Sequence, residues 1–116
     1  LWQSIVKVRE HLGLTTRLIV SSTVAHDESL KAQDKVLALC KALGASTYIN
    51  AIGGLELYDR SAFAACGIEL KFHKARPFEY PQFGAAFVPW LSILDVLMFN
   101  PPEAVAEAVR TRFELL

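Results

Sequence analysis

A chain of 116 residues is long enough for one domain, and 53% of its residues are hydrophobic, more than the about 45–50% of ordinary soluble domains. Its 12 basic residues balance its 12 acidic ones, so we predict no basic surface that binds nucleic acid without sequence preference. The apolar excess and the first residue, Leu1, lead us to expect a piece of a longer protein. A missing N-terminal segment or another copy of the chain would then cover its apolar surface.

The first half of the sequence predicts two helices with a strand between them. Residues 1–12 carry an apolar helical face and end at Gly13. The run 17–23 has a continuous apolar centre, which predicts a strand covered on both faces. Residues 29–44 repeat the helical pattern and end at Gly44.

The second half predicts strands at 46–52 and 68–74, helices at 59–66, 92–99 and 102–115, and a loop at 75–90. The strand at 68–74 alternates apolar and polar residues, which indicates a half-exposed strand, and we place it at a sheet edge. Because strands and helices alternate, we predict a single small three-layer α/β domain over residues 1–116. Its short, mainly parallel sheet of about three strands would be flanked by helices.

The two cysteines and the apolar runs bear on the location of the protein. Cys40 and Cys66 lie in apolar helical patterns, so we expect buried free thiols, as in a reducing cytoplasm; a disulfide has no support in the pattern. The longest apolar region is interrupted by Pro89, Ser92 and Asp95, so we predict no membrane span. The histidines show no metal-ligand spacing, and we expect neither a metal nor a cofactor.

Asp95 stands inside the most apolar stretch of the chain, and two interpretations of it are open. Ser92 and Asp95 have the spacing of a capping box, in which Ser92 would accept from the N–H three residues on and Asp95 would reach back. Asn100, Pro101 and Glu103 suggest a second cap, with Asn100 ending one helix and Pro101 opening the next. Asp95 is therefore a helix cap, a functional carboxylate, or both.

Polar residues at the predicted strand ends form a second group of candidates, because ligands of open parallel sheets bind there. Asn50, Gly53 and Gly54 follow one strand, where exposed N–H groups can bind an anion or simply form a tight turn. His73 ends the next strand and is placed either for proton transfer or as a solvated edge residue.

The loop Phe-Glu-Tyr-Pro-Gln-Phe-Gly-Ala-Ala-Phe, 78–87, is rich in groups that stack on a ring or hydrogen-bond to it. Sugars and nucleosides are recognised by such groups. The alternative is a hydrophobic loop that covers the sheet edge or meets a missing segment, and the two interpretations carry equal weight.

Three motifs together carry a family resemblance: YINAIGGLELYD at 48–59, GIELKF at 67–72 and YPQFGAAFVPWLSILDVLMFN at 80–100. In this order they resemble the second half of the WbqC-like family. The His-Gln-Pro-type motif that opens the family's first half is absent, so the resemblance implies a C-terminal portion.

The resemblance implies a transferase that moves a glycyl or acyl group to an amino sugar or nucleotide sugar in bacterial surface-polysaccharide (O-antigen) biosynthesis. The alternatives are a non-catalytic nucleotide- or carbohydrate-binding module and a structural half of a larger enzyme. We predict Asp95 and His73 as catalytic residues. The predicted substrate-binding residues are Asn50, Gly53, Gly54, Tyr58, Asp59, Tyr80, Gln82, Ser92 and Asn100.

Overall fold

The computed structural model describes residues 1–84 and 86–116; Ala85, which falls in the predicted loop, lies outside the described residues. Its helices are α1 Trp2–His11, α2 Ala32–Ala42, α3 Arg60–Ala65, α4 Ile93–Phe99 and α5 Pro102–Thr111. Its strands are β1 Thr47–Ala51, β2 Glu69–Ala75 and β3 Phe113–Leu115. The predicted α/β class is confirmed.

The chain divides into two compact units, neither of which is one continuous segment. The first unit consists of Leu1–Leu18 and Ala75–Phe113, and the second of Ile19–Lys74 and Glu114–Leu116.

The core of the second unit lies on one face of a parallel strand pair. β1 and β2 pair from Thr47 opposite Glu69 to Ala51 opposite His73, which confirms the predicted parallel neighbours. The alternation of β2 buries Leu70 and Phe72 on one face, because successive side chains of a strand point to opposite faces. The buried residues come from α2, α3 and β2 with the residue before it: Leu37, Cys40, Phe63, Ile68, Leu70 and Phe72.

The prediction of β2 as an edge strand is wrong, because β2 lies between β1 and β3. Phe72 donates its N–H to the carbonyl of Leu116 at 2.8 Å and accepts from the N–H of Leu116 at 2.9 Å. This exchange of both bonds by one residue pair is the antiparallel pattern. The predicted last helix accordingly stops at Thr111, and a third strand follows it.

The predicted strand at 17–23 is also wrong. Residues 14–20 have no regular structure, and Ser21–Thr23 form a short 3₁₀ turn. The Thr23 hydroxyl donates to the carbonyl of Val20 at 2.8 Å, a local bond that competes with strand pairing. Val20 is 42% exposed, so the apolar run is not covered on both faces.

In the first unit, α5 and the residue after α1 supply a small core. Leu12, Val105 and Ala106 are buried, and Val96 and Leu97 of α4 pack against them. This packing fixes the position of α4, whose first turn carries Asp95.

The turn between α4 and α5 differs from the prediction by one residue. Asn100 ends α4, and its side-chain amide donates to the carbonyl of Val96 at 2.8 Å. Pro101, not Asn100, precedes α5, and Pro102 is its first residue. Pro102 suits that place because its ring fixes φ and its missing N–H would have no helical partner there.

The first unit also carries apolar side chains at its surface. Phe83, Trp90, Leu94 and Met98 are all more than half exposed. The predicted apolar surface is therefore exposed in this chain, and the partner expected to cover it stays a prediction. None of the helices within residues 1–84 and 86–116 combines the length and the hydropathy that a membrane span requires.

Candidate functional site

Asp95 lies in the first turn of α4, directly after a helix cap made by Ser92. The hydroxyl of Ser92 accepts a hydrogen bond from the N–H of Leu94 at 3.2 Å, two residues on and not three as predicted. Among the described residues, no bond joins the Asp95 side chain to the N–H of Ser92. The predicted capping box is therefore half formed, and the Asp95 carboxylate is used elsewhere.

The Asp95 carboxylate is hydrogen-bonded to the aromatic loop. Its Oδ2 accepts from the hydroxyl of Tyr80 at 2.6 Å and from Nε2 of Gln82 at 3.0 Å. The expected closeness of Asp95 to the loop is confirmed. The bond to Asp95, and secondly burial, raise the pKa of the Tyr80 phenol above its usual range. Tyr80 therefore keeps its proton at neutral pH and acts as a donor, not as a base.

Gln82 joins this network to the far side of the loop. It is 8% exposed and is the one buried polar side chain among the described residues. Its Oε1 accepts from the N–H of Val88 at 2.8 Å, and its Nε2 also donates to the carbonyl of Val88 at 3.3 Å. The side-chain amide of Gln82 thus pairs with the backbone of Val88, six positions on, and closes the loop between the two residues.

A cavity of about 510 Å³ opens beside this network, within the size range of small-molecule sites. Tyr80 belongs both to its wall and to the network, whereas Asp95 is not a lining residue and contacts the wall through its bond to Tyr80. The lining is mainly aromatic and aliphatic, with one guanidinium and one carboxylate: Arg76, Pro77, Phe78, Glu79, Tyr80, Phe87, Pro89, Trp90, Leu91 and Val96. Such a surface can stack on a ring and hydrogen-bond to its polar substituents.

Two large residues of this region have left-handed backbone conformations. Phe83 has φ 44° and Trp90 has φ 59°, values that residues other than glycine rarely adopt. Phe83 is 95% exposed and Trp90 71% exposed, so burial of the two rings does not offset the cost of this backbone. Strain of this kind concentrates at binding sites.

The candidates of the second unit form a packing cluster. Asn50 donates to the hydroxyl of Tyr48 at 3.2 Å, and the rings of Tyr48 and Tyr58 meet edge to face at 5.8 Å. A Cβ on the buried Gly54 would lie 3.1 Å from Nδ2 of Asn50 and 3.3 Å from Cε2 of Tyr58. The glycine therefore allows the turn to approach both side chains. A Cβ on Gly53 would meet nothing within 4 Å.

Burial, and secondly the neighbouring Tyr58 hydroxyl, raise the pKa of Tyr48 to about 12. Asp59 is exposed and caps α3: its carboxylate accepts from the N–H of Ser61 at 2.9 Å and from its hydroxyl at 2.6 Å. These bonds, the hydroxyl's first, lower the pKa of Asp59. A capping role accounts for this residue.

The two predicted catalytic residues belong to different units. His73 lies on β2 in the second unit, opposite Ala51, and Asp95 lies in the first. The structure thus brings together Tyr80, Gln82 and Asp95 by direct bonds, with Ser92 three residues before Asp95. Their role in a site stays a prediction.

Glu79 and Trp90 line the cavity, and the sequence reasoning did not select them. The sequence could have indicated both residues, because Glu79 is a charged residue and Trp90 a large ring within the aromatic, proline-rich loop at 75–90. Both cysteines are free, Cys40 buried and Cys66 half-buried. Within the described ranges, no three His, Cys, Asp or Glu side chains are grouped so that they could hold a metal ion.

Comparison with known proteins gives one result. Neither a search of curated proteins nor a search of solved structures found a match. The model of the WbqC-like protein family, however, matches residues 1–107. The match covers most of the chain and extends well beyond residues 48–100, which carry the motifs. The chain therefore belongs to the WbqC-like protein family.

Proposed function

We propose that this chain acts in the transfer of a glycyl or acyl group to an amino sugar or nucleotide sugar during assembly of bacterial surface polysaccharide (O-antigen), and that its aromatic cavity holds the sugar. Membership of the WbqC-like family supports the proposed role in surface-polysaccharide assembly. The single observation that supports the ligand is the cavity of about 510 Å³ formed by the aromatic loop. A cytoplasmic location, expected from the free cysteines, is part of the proposal.

The lining suits an amino sugar in three ways. Phe78, Phe87 and Trp90 present rings on which the apolar face of a sugar or the base of a nucleotide can stack. Arg76 is a guanidinium of the kind that binds phosphate in a bidentate manner. Glu79 supplies a carboxylate for a sugar hydroxyl or amine.

In this proposal Asp95 is a positioning residue. It fixes the Tyr80 hydroxyl and, through Gln82, the closure of the loop, so the rings are held before the ligand arrives. Preorganisation of this kind lowers the entropy cost of binding. With a thioester donor, the sugar amine would form a bond to the acyl carbon and the thiol would leave. The amine also loses a proton in this step, and Glu79 is the carboxylate of the cavity that can accept it.

The second candidate function is a binding module without chemistry of its own. It is favoured by the small number of titratable residues in the lining, which are Arg76, Glu79 and Tyr80. A transferase whose acid–base residues lie in a partner would have such a site.

Tryptophan fluorescence tests whether the cavity binds a nucleotide sugar. The chain has two tryptophans, so Trp2→Phe leaves Trp90 as the only reporter, at the cavity wall. We expect a saturable blue shift with a uridine diphosphate-linked amino sugar, because the ligand covers the exposed ring. Uridine diphosphate and the free amino sugar, titrated separately, show which part of the ligand is bound.

Two phenylalanine variants in this background locate the binding. Phe78→Ala removes a lining ring and should weaken binding about tenfold, the equivalent of ~1.4 kcal/mol. Phe83→Ala removes an exposed ring that does not line the cavity and should leave binding unchanged. No spectral change at millimolar ligand, or equal weakening by both variants, refutes the proposed ligand.

Mass spectrometry separates the transferase from the binding module. The chain is incubated with the nucleotide-linked amino sugar and an acyl thioester or an activated glycine, and the mass of the sugar product is measured. A mass increase that is lost in Glu79→Gln supports transfer. Binding without any mass increase favours the module.

A further inference from the structure

A second cavity of the first unit has a different chemistry from the aromatic one. It measures about 460 Å³ and shares no lining residue with the first cavity. Its walls come from α1, from the segment after it and from the start of α4. They include Ile5, Val8, Leu14, Ile93 and Leu94. We call it the aliphatic groove, since aliphatic side chains dominate these walls.

Arg9 is the charged residue of this groove. Its Nη1 donates to the carbonyl of Thr16 at 3.1 Å, while its Nε is buried and has no hydrogen-bond partner among the described residues. No described carboxylate lies within ion-pair distance of it; the adjacent Glu10 pairs instead with Lys7 at 3.0 Å. A guanidinium stays charged at all ordinary pH values, so an uncompensated positive charge adjoins an apolar surface.

We propose that the aliphatic groove binds a single-chain amphiphile with an anionic head, namely a fatty-acid carboxylate. The aliphatic walls cover the hydrocarbon chain, and the Arg9 guanidinium pairs with the carboxylate. The argument is charge complementarity: Arg9 lines the groove, no described carboxylate pairs with its guanidinium, and an anionic head at the end of an apolar chain supplies the opposite charge. The groove volume lies in the range of small-molecule sites, about 300–1,000 Å³. This proposal does not rest on the function proposed for the aromatic cavity.

Binding is measured by backbone amide shifts in NMR spectra of the full chain. The ligands are decanoate, decanol and decyltrimethylammonium, each kept below the concentration at which it forms micelles. We expect decanoate to shift the amides of Ile5, Val8 and Leu94. We expect it to bind at least tenfold more tightly than decyltrimethylammonium, whose head carries the charge of Arg9. Among carboxylates from hexanoate to decanoate, Kd should fall about fourfold per methylene, which corresponds to about 0.8 kcal/mol.

Variants test the role of the guanidinium. Arg9→Met keeps an apolar stem of similar length and removes the charge, so decanoate affinity should fall to that of decanol while decanol affinity stays the same. Arg17→Met is the matched control, because Arg17 is exposed and does not line the groove. If Arg9→Met fails to fold after losing the bond to Thr16, Leu94→Gln replaces it. Leu94 is 58% exposed, and this change should weaken all three ligands in a folded chain.

Four results would overturn the proposal. The first is equal affinity for decanoate and decyltrimethylammonium in the unaltered chain. The second is equal loss of decanoate binding in Arg9→Met and Arg17→Met. The third is amide shifts centred on Phe78 and Trp90 instead of the groove. The fourth is the absence of binding to monomeric decanoate, together with amide shifts at the groove caused by anionic lipid vesicles or by concentration-dependent self-association. In that case the groove would contact a membrane surface or a second copy of the chain.

Discussion

Replacing Asp95 with Asn separates a simple helix cap from a residue that holds the aromatic loop. A carboxylate that only faces the α4 dipole contributes about 0.3–1 kcal/mol. In the structure, however, one oxygen of Asp95 accepts from both Tyr80 and Gln82. Hydrogen bonds to a charged group contribute about 1.5–3 kcal/mol and those between neutral groups about 0.5–1.5 kcal/mol. Asn in place of Asp95 makes both bonds neutral and weakens each by about 1–1.5 kcal/mol. The free energy of unfolding should therefore fall by about 2–3 kcal/mol, in addition to the dipole contribution.

Urea unfolding at pH 7, followed by circular dichroism, measures this difference. With a slope of about 1–3 kcal/mol per molar urea, the midpoint of Asp95→Asn should fall by roughly 1 M or more. Glu103→Gln is the matched control, because Glu103 stands in the first turn of α5 and its exposed side chain caps nothing. It should show only the dipole contribution. Ser92→Ala should cost about 0.5–2 kcal/mol through the lost cap. If Asp95→Asn is no more destabilising than Glu103→Gln, the network does not hold the loop.

Two further predictions concern the second unit. Gly54→Ala should destabilise the chain by about 1–3 kcal/mol, because the new Cβ crowds Asn50 and Tyr58, whereas Gly53→Ala should be neutral or stabilising by up to about 1 kcal/mol. Equal urea midpoints for the two variants would contradict this account. Tyr48, with its pKa raised to about 12, contributes stability that is complete below about pH 10 and is lost as the pH rises through about 12. Absorbance at alkaline pH should show Tyr48 titrating at about pH 12, and Tyr48→Phe should remove that step.

The parts of the fold that the sequence predicts correctly are those with a local cause. A helix commonly ends at a residue with a left-handed backbone conformation, which glycine adopts most easily. The helices before Gly44 and Gly67 end in this way, and both glycines have positive φ. The alternation in β2 identified its buried face. Alternation reports which face of a strand is covered, but not whether another strand pairs alongside, so the position of β2 in the sheet could not be read from it.

The errors come from interactions between distant residues or from side chains that bond locally. The apolar run at 17–23 looks like a strand, yet none of the described strands pairs with it, and Thr23 closes a turn onto Val20. The segment 113–115 continues a helical pattern, and only its pairing near Phe72 makes it a strand.

The candidate site was predictable in part for the same reasons. The spacing of Ser92 and Asp95 located the start of α4 and the acid in its first turn. The motif order suggested that Asp95 would lie near Tyr80 and Gln82. The pairing of Gln82 with Val88, six positions apart, depends on how the chain between them closes, which no local pattern specifies.

The pairing of Gln82 with Val88 has a consequence for which positions of this loop can be varied. The side chain of Gln82 bonds to the backbone where the loop returns, so the identities of Ala86 and Phe87 are not needed to form these bonds. Gly84 has φ 77° and is best kept as glycine. Substitutions at positions 86 and 87 can change the rings offered to a ligand while the supporting framework is retained. For protein engineering, a library randomised at positions 86 and 87, with Gln82, Gly84, Val88 and Asp95 kept, would sample new ligand preferences while these hydrogen bonds are retained.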